Sequence, residues 1–284
     1  MKKIGFIDYY LDEWHANNYP AWIADPRHGG RYKVAYGWAE IDSKRGLTTE
    51  QWCAKYGVEQ CSSQQALIDK SDCIVVLSPD NPERHEELTR LALLSGKPVY
   101  VDKTFALSRA SARRMFELAD AHGTPMYSTS PLRYASELDW LRENRIAQKD
   151  IVFASTLGPG HTGVDNYLIH QIEMIVSAMG PGAKRAMAPG GRAPAVVYEY
   201  RDGRSASAAV LATDDFSIAL QSADDKCGRF NIKSDIWAGF VDALLAFFDT
   251  GVSPVSQAET CEAVAMVEAA LAALKRPGEW VDVK

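Results

Sequence analysis

The chain has 284 residues, 46% hydrophobic and 24% charged, and a formal net charge of −6. This composition excludes a disordered polymer, and the negative balance argues against a broad nucleic-acid surface. The five cysteines form no CxxC pair, no apolar run nears the roughly 18 residues of a membrane span, and "MKK" runs straight into a strand. Together these features predict a cytoplasmic protein with reduced thiols, no targeting segment, no membrane or nucleic-acid partner and no metal site.

Strand and helix signals alternate along the first part of the chain. "KKIGFI" is a strand, and a helix-like pattern follows to about Ile23. "RYKVAYGWAEI" is a second strand. Thr48 or Thr49 caps the helix "TTEQWCAKYG", with Glu50 in its first turn. "SQQALIDKS" is a short amphipathic helix. "DCIVVLS" and "PVYVDK" are apolar enough for strands buried on both faces. "PERHEELTRLALLSGK" runs as a helix from an early Pro82 to Gly96, and "SRASARRMFELADAHG" repeats the pattern from Ser108 to Gly123. "PMYST" closes the series. Such alternation predicts an α/β domain over 1–128, a Rossmann-type doubly wound parallel sheet.

The remainder, 129–284, has a different texture. "PAVVYEYRDGRSASAAVLA" alternates around Asp202-Gly203, a hairpin signal. "FSIAL" and "GRFNI" are short strands, and two amphipathic helices follow. This pattern predicts an α+β domain on a largely antiparallel sheet.

Ligands of doubly wound sheets bind beyond the carboxyl ends of the strands. That rule marks Asp8 to Asp12, Glu40 to Asp42, Ser78 to His85 and Asp102 to Phe105. The first of these turns is unusual. A dinucleotide fold places glycines there for a tight turn and close approach of the pyrophosphate, yet none occurs between Gly5 and Gly29. Tyr10 and Leu11 place side chains where the phosphate would pass. Asp8, Asp12 and Glu13 suit the helix dipole but compete with a phosphate for the same amides. At about 5 Å and an effective dielectric of about 20, each carboxylate–phosphate pair would cost roughly 3 kcal/mol. Glu40 or Asp42 could hold a ribose, and Lys44 and Arg45 lie just after.

"DCIVVLSPDNPERHEELTRLALLSGKPVYVDKTFALSRASARRMFELADAHG" resembles the glucose–fructose oxidoreductase and inositol dehydrogenase family. "LLSGKPVYVDK" is similar to its AL-x-x-GK-x-V-x-x-EK motif, and "SPDNPERH" to its TP-N-x-x-H. "SPLRYASELDWL" resembles its arginine-containing segment after the last Rossmann strand. "GPGHTGVDNYLIHQIEMIVSAMG" resembles its G-G-x-x-x-D-x-G-x-H segment. The resemblance implies NAD or NADP as cofactor, and the acids after the second strand weakly favour NAD. It implies hydride transfer to or from a hydroxyl or keto group of a sugar, polyol or glycoside. It also implies a homo-oligomer built on the second domain, which would bind substrate.

By the same resemblance and the strand-end rule, Asp8, Tyr10, Glu40, Ser78, Pro79, Asp80, His85, Asp102 and Lys103 are the cofactor candidates. Lys103 matches the lysine of the family's EKP motif, with Asp102 for Glu and Thr104 for Pro. An ammonium there can stabilise a developing alkoxide or meet the cofactor's carboxamide; its bland alternative is an exposed lysine ending a strand. His170 matches the catalytic histidine and could take the hydroxyl proton; its alternative is a packing histidine. Asn166 stands where the family has Asp, one turn before His170, with Asp165 beside it as a substitute base. Arg133, Tyr134, His161 and Asn166 are substrate candidates, Arg133 having a structural salt bridge as its alternative. Two other readings remain open. One is a lyase or epimerase that uses Lys103 and His170 on a keto sugar without redox. The other is a silent sensor or accessory subunit that has lost the dinucleotide.

Overall fold

The computed structural model describes residues 1–161 and 163–284. The chain divides into two compact units, one of Met1–Ala106, Ala110–Ser128 and Val241–Val255, the other of Leu107–Arg109, Thr129–Phe240 and Ser256–Lys284.

The first unit is built on β1 (Lys2–Asp8), β2 (Tyr32–Ala39), β3 (Glu59–Gln60), β4 (Cys73–Val76), β5 (Val99–Val101) and β6 (Met126–Tyr127), interleaved with α1 (Trp14–Ile23), α2 (Thr49–Tyr56), α3 (Gln64–Lys70), α4 (His85–Leu93) and α5 (Arg109–Ala121). The six strands lie in the order β3-β2-β1-β4-β5-β6, all parallel. The apolar runs explain why. Every residue of β4 and β5 is buried, as strands covered by helices on both faces must be. Thr48 caps α2 in a capping box with Gln51, and Gly57 ends it in the left-handed conformation. At Gly5 the crossover helix α3 comes so close that an added Cβ would lie 2.4 Å from Leu67 Cδ2 and from Ser71 Oγ. The strand order reverses between β1 and β4, so the ligand-binding crevice of this architecture opens beyond Asp8 and Leu77.

Sequence order alone groups 241–255 with the residues before it, yet this stretch packs in the first unit. It belongs largely to α8 (Ile236–Thr250). Phe247 meets Tyr127 at a ring distance of 5.3 Å, and Tyr32 donates its hydroxyl to Asp249 at 2.5 Å.

The second unit carries β7 (Ile151–Pro159), β8 (Ala183–Met187), β9 (Ala195–Tyr200), β10 (Ser205–Leu211), β11 (Ser217–Ser222), β12 (Cys227–Asn231) and β13 (Trp280–Asp282) in the order β12-β11-β7-β10-β9-β8-β13. All neighbours are antiparallel except β10 with β7. The hairpin falls at Asp202-Gly203, with Gly203 at φ 88°. The sequence reading names β9 to β12; β7, β8 and β13 are added by the structure. Alternate residues of β9 and β10 are buried in one core with α7 (Val164–Met179) and α9 (Gln257–Leu274). Phe153, Leu157 and Leu211 stay exposed.

Candidate functional site

β1 ends at Asp8, and α1 begins at Trp14. Positions 8, 10 and 13 carry the spacing of the three fingerprint glycines, and Asp8, Tyr10 and Glu13 occupy them. Asp8 is buried. Its Oδ1 accepts the Tyr9 N–H at 2.6 Å, while its Oδ2 has no hydrogen-bond partner. Burial, followed by the neighbouring Glu13, pushes its carboxyl well up. Glu13 turns back over the helix end. Its Oε2 accepts the His15 N–H at 2.7 Å and its Oε1 accepts the Ala16 N–H, so it caps α1. Burial pushes Glu13 up to about 8 against these two hydrogen bonds. At neutral pH this shift favours the protonated form. Burial therefore weakens, at Glu13 and in the same direction at Asp8, the charge repulsion expected from the sequence. What stands at the helix end is a Glu13 carboxyl already seated on the amides.

A cavity of about 610 Å³ opens beside this turn, lined by Tyr9, Tyr10, Glu13, Lys44, Arg45 and Asp80 among others. The acids around it are engaged. Asp12 accepts from Leu47 N–H and Asn17 Nδ2, and Asp80 accepts the Tyr10 hydroxyl at 3.2 Å. Burial and then Asp80 push that phenol up to about 12. Glu40, the candidate ribose acid, receives Arg84 on both oxygens at 2.7 Å. Lys44 and Arg45 form no ion pair among the described residues and share the cavity lining with Asp12 and Asp80.

At the end of β5, Asp102 is fully buried and Lys103 nearly so, at 9% exposure. Asp102 Oδ2 is hydrogen-bonded to His15 Nδ1, and Oδ1 accepts the Tyr100 hydroxyl at 3.2 Å. Burial alone would raise Asp102; His15 and Lys103 outweigh it and hold the carboxyl at about 2. Burial pushes the His15 imidazole down while Asp102 pulls it up, and the two groups share one buried hydrogen bond. The His15 ring stacks on Tyr19 at 5.4 Å. Sequence reasoning missed this pair, because 87 residues separate its members. Lys103 makes no hydrogen bond or ion pair among the described residues, and the Thr104 hydroxyl is buried without a partner. The Lys103–Thr104 peptide is cis.

The β4 end holds the other cofactor candidates. Ser78 sits at φ 78°, a left-handed conformation that a non-glycine residue adopts at a cost of about 1 kcal/mol or more. Pro79 is buried beside it. His85 is fully buried, its ring nitrogens facing the carbonyl oxygens of Phe105 (3.1 Å) and Leu77 (2.6 Å).

In the second unit, His170 Nδ1 lies 2.7 Å from Ser130 Oγ. Tyr167 and Phe216 flank its ring, each at 5.7 Å. His161 meets the other side of Tyr167 at 5.5 Å and sits 3.4 Å from Asp214. Asp165 accepts the Asn166 N–H at 3.1 Å in the first turn of α7. Arg133 is committed to a buried ion network, 2.8 Å from Glu173 and 3.2 Å from Glu259. Burial works against its charge, but the two carboxylates hold it above the ordinary value. Its salt-bridge alternative is thus the arrangement present. Tyr134 is half-buried, its ring 6.3 Å from that of Phe240.

Residues 25–129 match the oxidoreductase family with an NAD-binding Rossmann fold. The family resemblance read from the sequence holds there. No curated protein matches the chain significantly. Three solved structures illustrate the fold's range. GenD2 from gentamicin A biosynthesis, in complex with NAD, has a TM-score of 0.80 at 14% identity, covering 99% of this chain and 97% of that one. The WlbA dehydrogenase of Bordetella pertussis, with NADH and UDP-GlcNAcA, has 0.74 at 14% identity, covering 98% and 96%. The biliverdin reductase of Synechocystis sp., with biliverdin and NADP+, has 0.70 at 15% identity, covering 96% and 99%. At such identities the likeness establishes the fold, while the three ligands differ widely.

The residues present fit a nicotinamide dinucleotide at both ends of the crevice. The cavity beside Tyr9, Tyr10, Lys44 and Arg45 suits an anionic nucleoside end. Lys103 offers a buried cation with no hydrogen bond or ion pair at the other end. Between them, the α1 amides carry Glu13.

Proposed function

We propose that the protein is a nicotinamide-dependent oxidoreductase that interconverts a hydroxyl and a carbonyl on a sugar, a polyol or a glycoside. The observation that carries this reading is Lys103. A nearly buried ammonium without hydrogen bond or ion pair stands at the carboxyl end of a central strand, inside the segment matched by the oxidoreductase family. When bound, the cofactor supplies or accepts the hydride. Lys103 stabilises the oxygen on which negative charge develops, worth about 10²–10³ in rate for one such donor. Asp102 and His15 form a buried hydrogen-bonded pair beside that ammonium. In the second unit, His170, with Ser130 Oγ 2.7 Å from its Nδ1, is the sequence's candidate for a proton carrier.

With Glu40 paired to Arg84 and with Lys44 and Arg45 on the cavity wall, a 2′-phosphate would meet positive charge there. We infer that NADP(H) is accepted as well as NAD(H). The exposed Phe153, Leu157 and Leu211 give the second unit's sheet an apolar face suited to a second copy of the chain. No helix among the described residues is long and apolar enough to cross a membrane.

The test is hydride transfer, followed by nicotinamide absorbance over a panel of polyols and sugars, with Lys103→Met as control. The variant should lose about a hundredfold in kcat. Full turnover by the variant sinks the role of Lys103. The capped α1 amides favour one alternative, acid–base chemistry on a keto sugar at the same lysine. Product formed by nucleotide-free protein would support that alternative.

A further inference from the structure

Dinucleotide folds keep the start of the first helix open, so that its amides and positive dipole end face the diphosphate. In this protein that place is filled from within. Glu13 stands at the third fingerprint position and is only 6% exposed. Its two oxygens hold the His15 and Ala16 amides of a ten-residue helix. Two independent observations point to a ligand at the same place. Asp8 Oδ2 is buried without a hydrogen-bond partner at the strand end. The cavity that Glu13 lines also presents Lys44 and Arg45, which form no ion pair among the described residues.

We propose that Glu13 is a built-in competitor for the diphosphate: the α1 amides carry either the Glu13 carboxyl or the phosphate of a dinucleotide, and binding displaces Glu13. This inference rests on the nicotinamide reading above.

A proton accompanies the displacement. The groups around Glu13 are Asp8 at the end of β1, Tyr10 and Asp12 in the turn, and His15 and Tyr19 on α1. Lys44 and Arg45 follow β2, Asp80 follows β4, and Asp102 and Lys103 end β5. Burial holds Glu13 up at about 8, its two amide hydrogen bonds and Lys103 pull it down, and Asp102 adds to the rise. A displaced carboxyl that reaches water returns to the ordinary range and releases its proton. The free protein then binds more protons than the complex. Affinity for the dinucleotide rises with pH from the ordinary carboxylate range to about 8 and is flat above it.

The experiment is calorimetric titration of the full chain with NAD⁺, NADH, NADP⁺ and NADPH at pH 7, in two buffers of different ionisation enthalpy. Wild type, Glu13→Ser and Glu13→Gln are compared. Serine keeps a capping oxygen and vacates most of the volume. The wild type should release a proton on binding. Glu13→Ser should bind about tenfold tighter and release none. Glu13→Gln, of the same size and still an acceptor, should release no proton and should bind more weakly than wild type at pH 7, because its side chain gains nothing by ionising when displaced. If Glu13→Ser fails to fold, loss of proton release in Glu13→Gln decides the question. Equal affinity and equal proton release in all three proteins overturn this inference and leave the nicotinamide reading intact. No binding by any of them, to any of the four nucleotides, overturns both.

Discussion

Glu13→Gln also tests the electrostatics of the first turn without any ligand. Glu13 rises from an ordinary 4.5 to about 8 in the folded chain, chiefly through burial. A carboxyl raised on folding stabilises the native state fully below its unfolded value. That contribution is lost as pH rises toward the folded value. Between pH 5 and pH 8 the loss amounts to about 3–4 kcal/mol, taking 1.36 kcal/mol per unit. This is a sizeable part of the 5–15 kcal/mol that holds a typical domain. Glutamine is the same size, keeps one oxygen for the amides and does not titrate. Urea unfolding of both proteins at half-unit steps of pH gives the two profiles. The wild type should fall relative to Glu13→Gln by about 3 kcal/mol across the window. Asp8 titrates together with Glu13, so the difference between the two profiles belongs to the pair. Parallel profiles would refute the reasoning, because Glu13 would then be ionised or solvated in the native state.

Other outcomes follow from the second unit. Arg133→Met leaves the buried Glu173 and the half-buried Glu259 without their cation, and should destabilise by about 3–5 kcal/mol, read by urea unfolding. Adding Glu173→Gln should recover part of that loss; no recovery would mean that Arg133 acts through packing alone. Leu157→Glu on the open sheet face should shift the mass measured by light scattering toward the single chain while the thermal midpoint moves little. An unchanged mass at all concentrations would place any self-association elsewhere.

The parallel sheet was legible because its strands write themselves plainly. "CIVV" and "VYV" are apolar throughout, and left-handed glycines such as Gly57, Gly96 and Gly123 close the helices between them. β7 was not legible. Its outward positions mix Phe153, Ser155 and Leu157, so neither clean alternation nor a continuous apolar run marks a strand that pairs on both sides. The strand-end rule did pick out Asp8, Asp102 and Lys103. It could not supply their partners, since His15 reaches Asp102 only through the fold. The Glu13 cap escaped notice for a chemical reason: N-caps are usually Ser, Thr, Asp or Asn, and a glutamate must bend back to serve. Charge was misjudged for the same turn. A sequence counts carboxyl groups, whereas burial decides which of them are ionised.

The central claim is that this strand-end crevice binds a nicotinamide dinucleotide. Its most direct test is titration of the purified protein, first freed of bound nucleotide and checked by absorbance and mass spectrometry, with NAD⁺, NADH, NADP⁺ and NADPH. The account predicts binding in the micromolar range, about −8 kcal/mol, with proton release at pH 7. Absence of binding up to millimolar concentration of all four would contradict it, and would leave Lys103 to chemistry that needs no hydride.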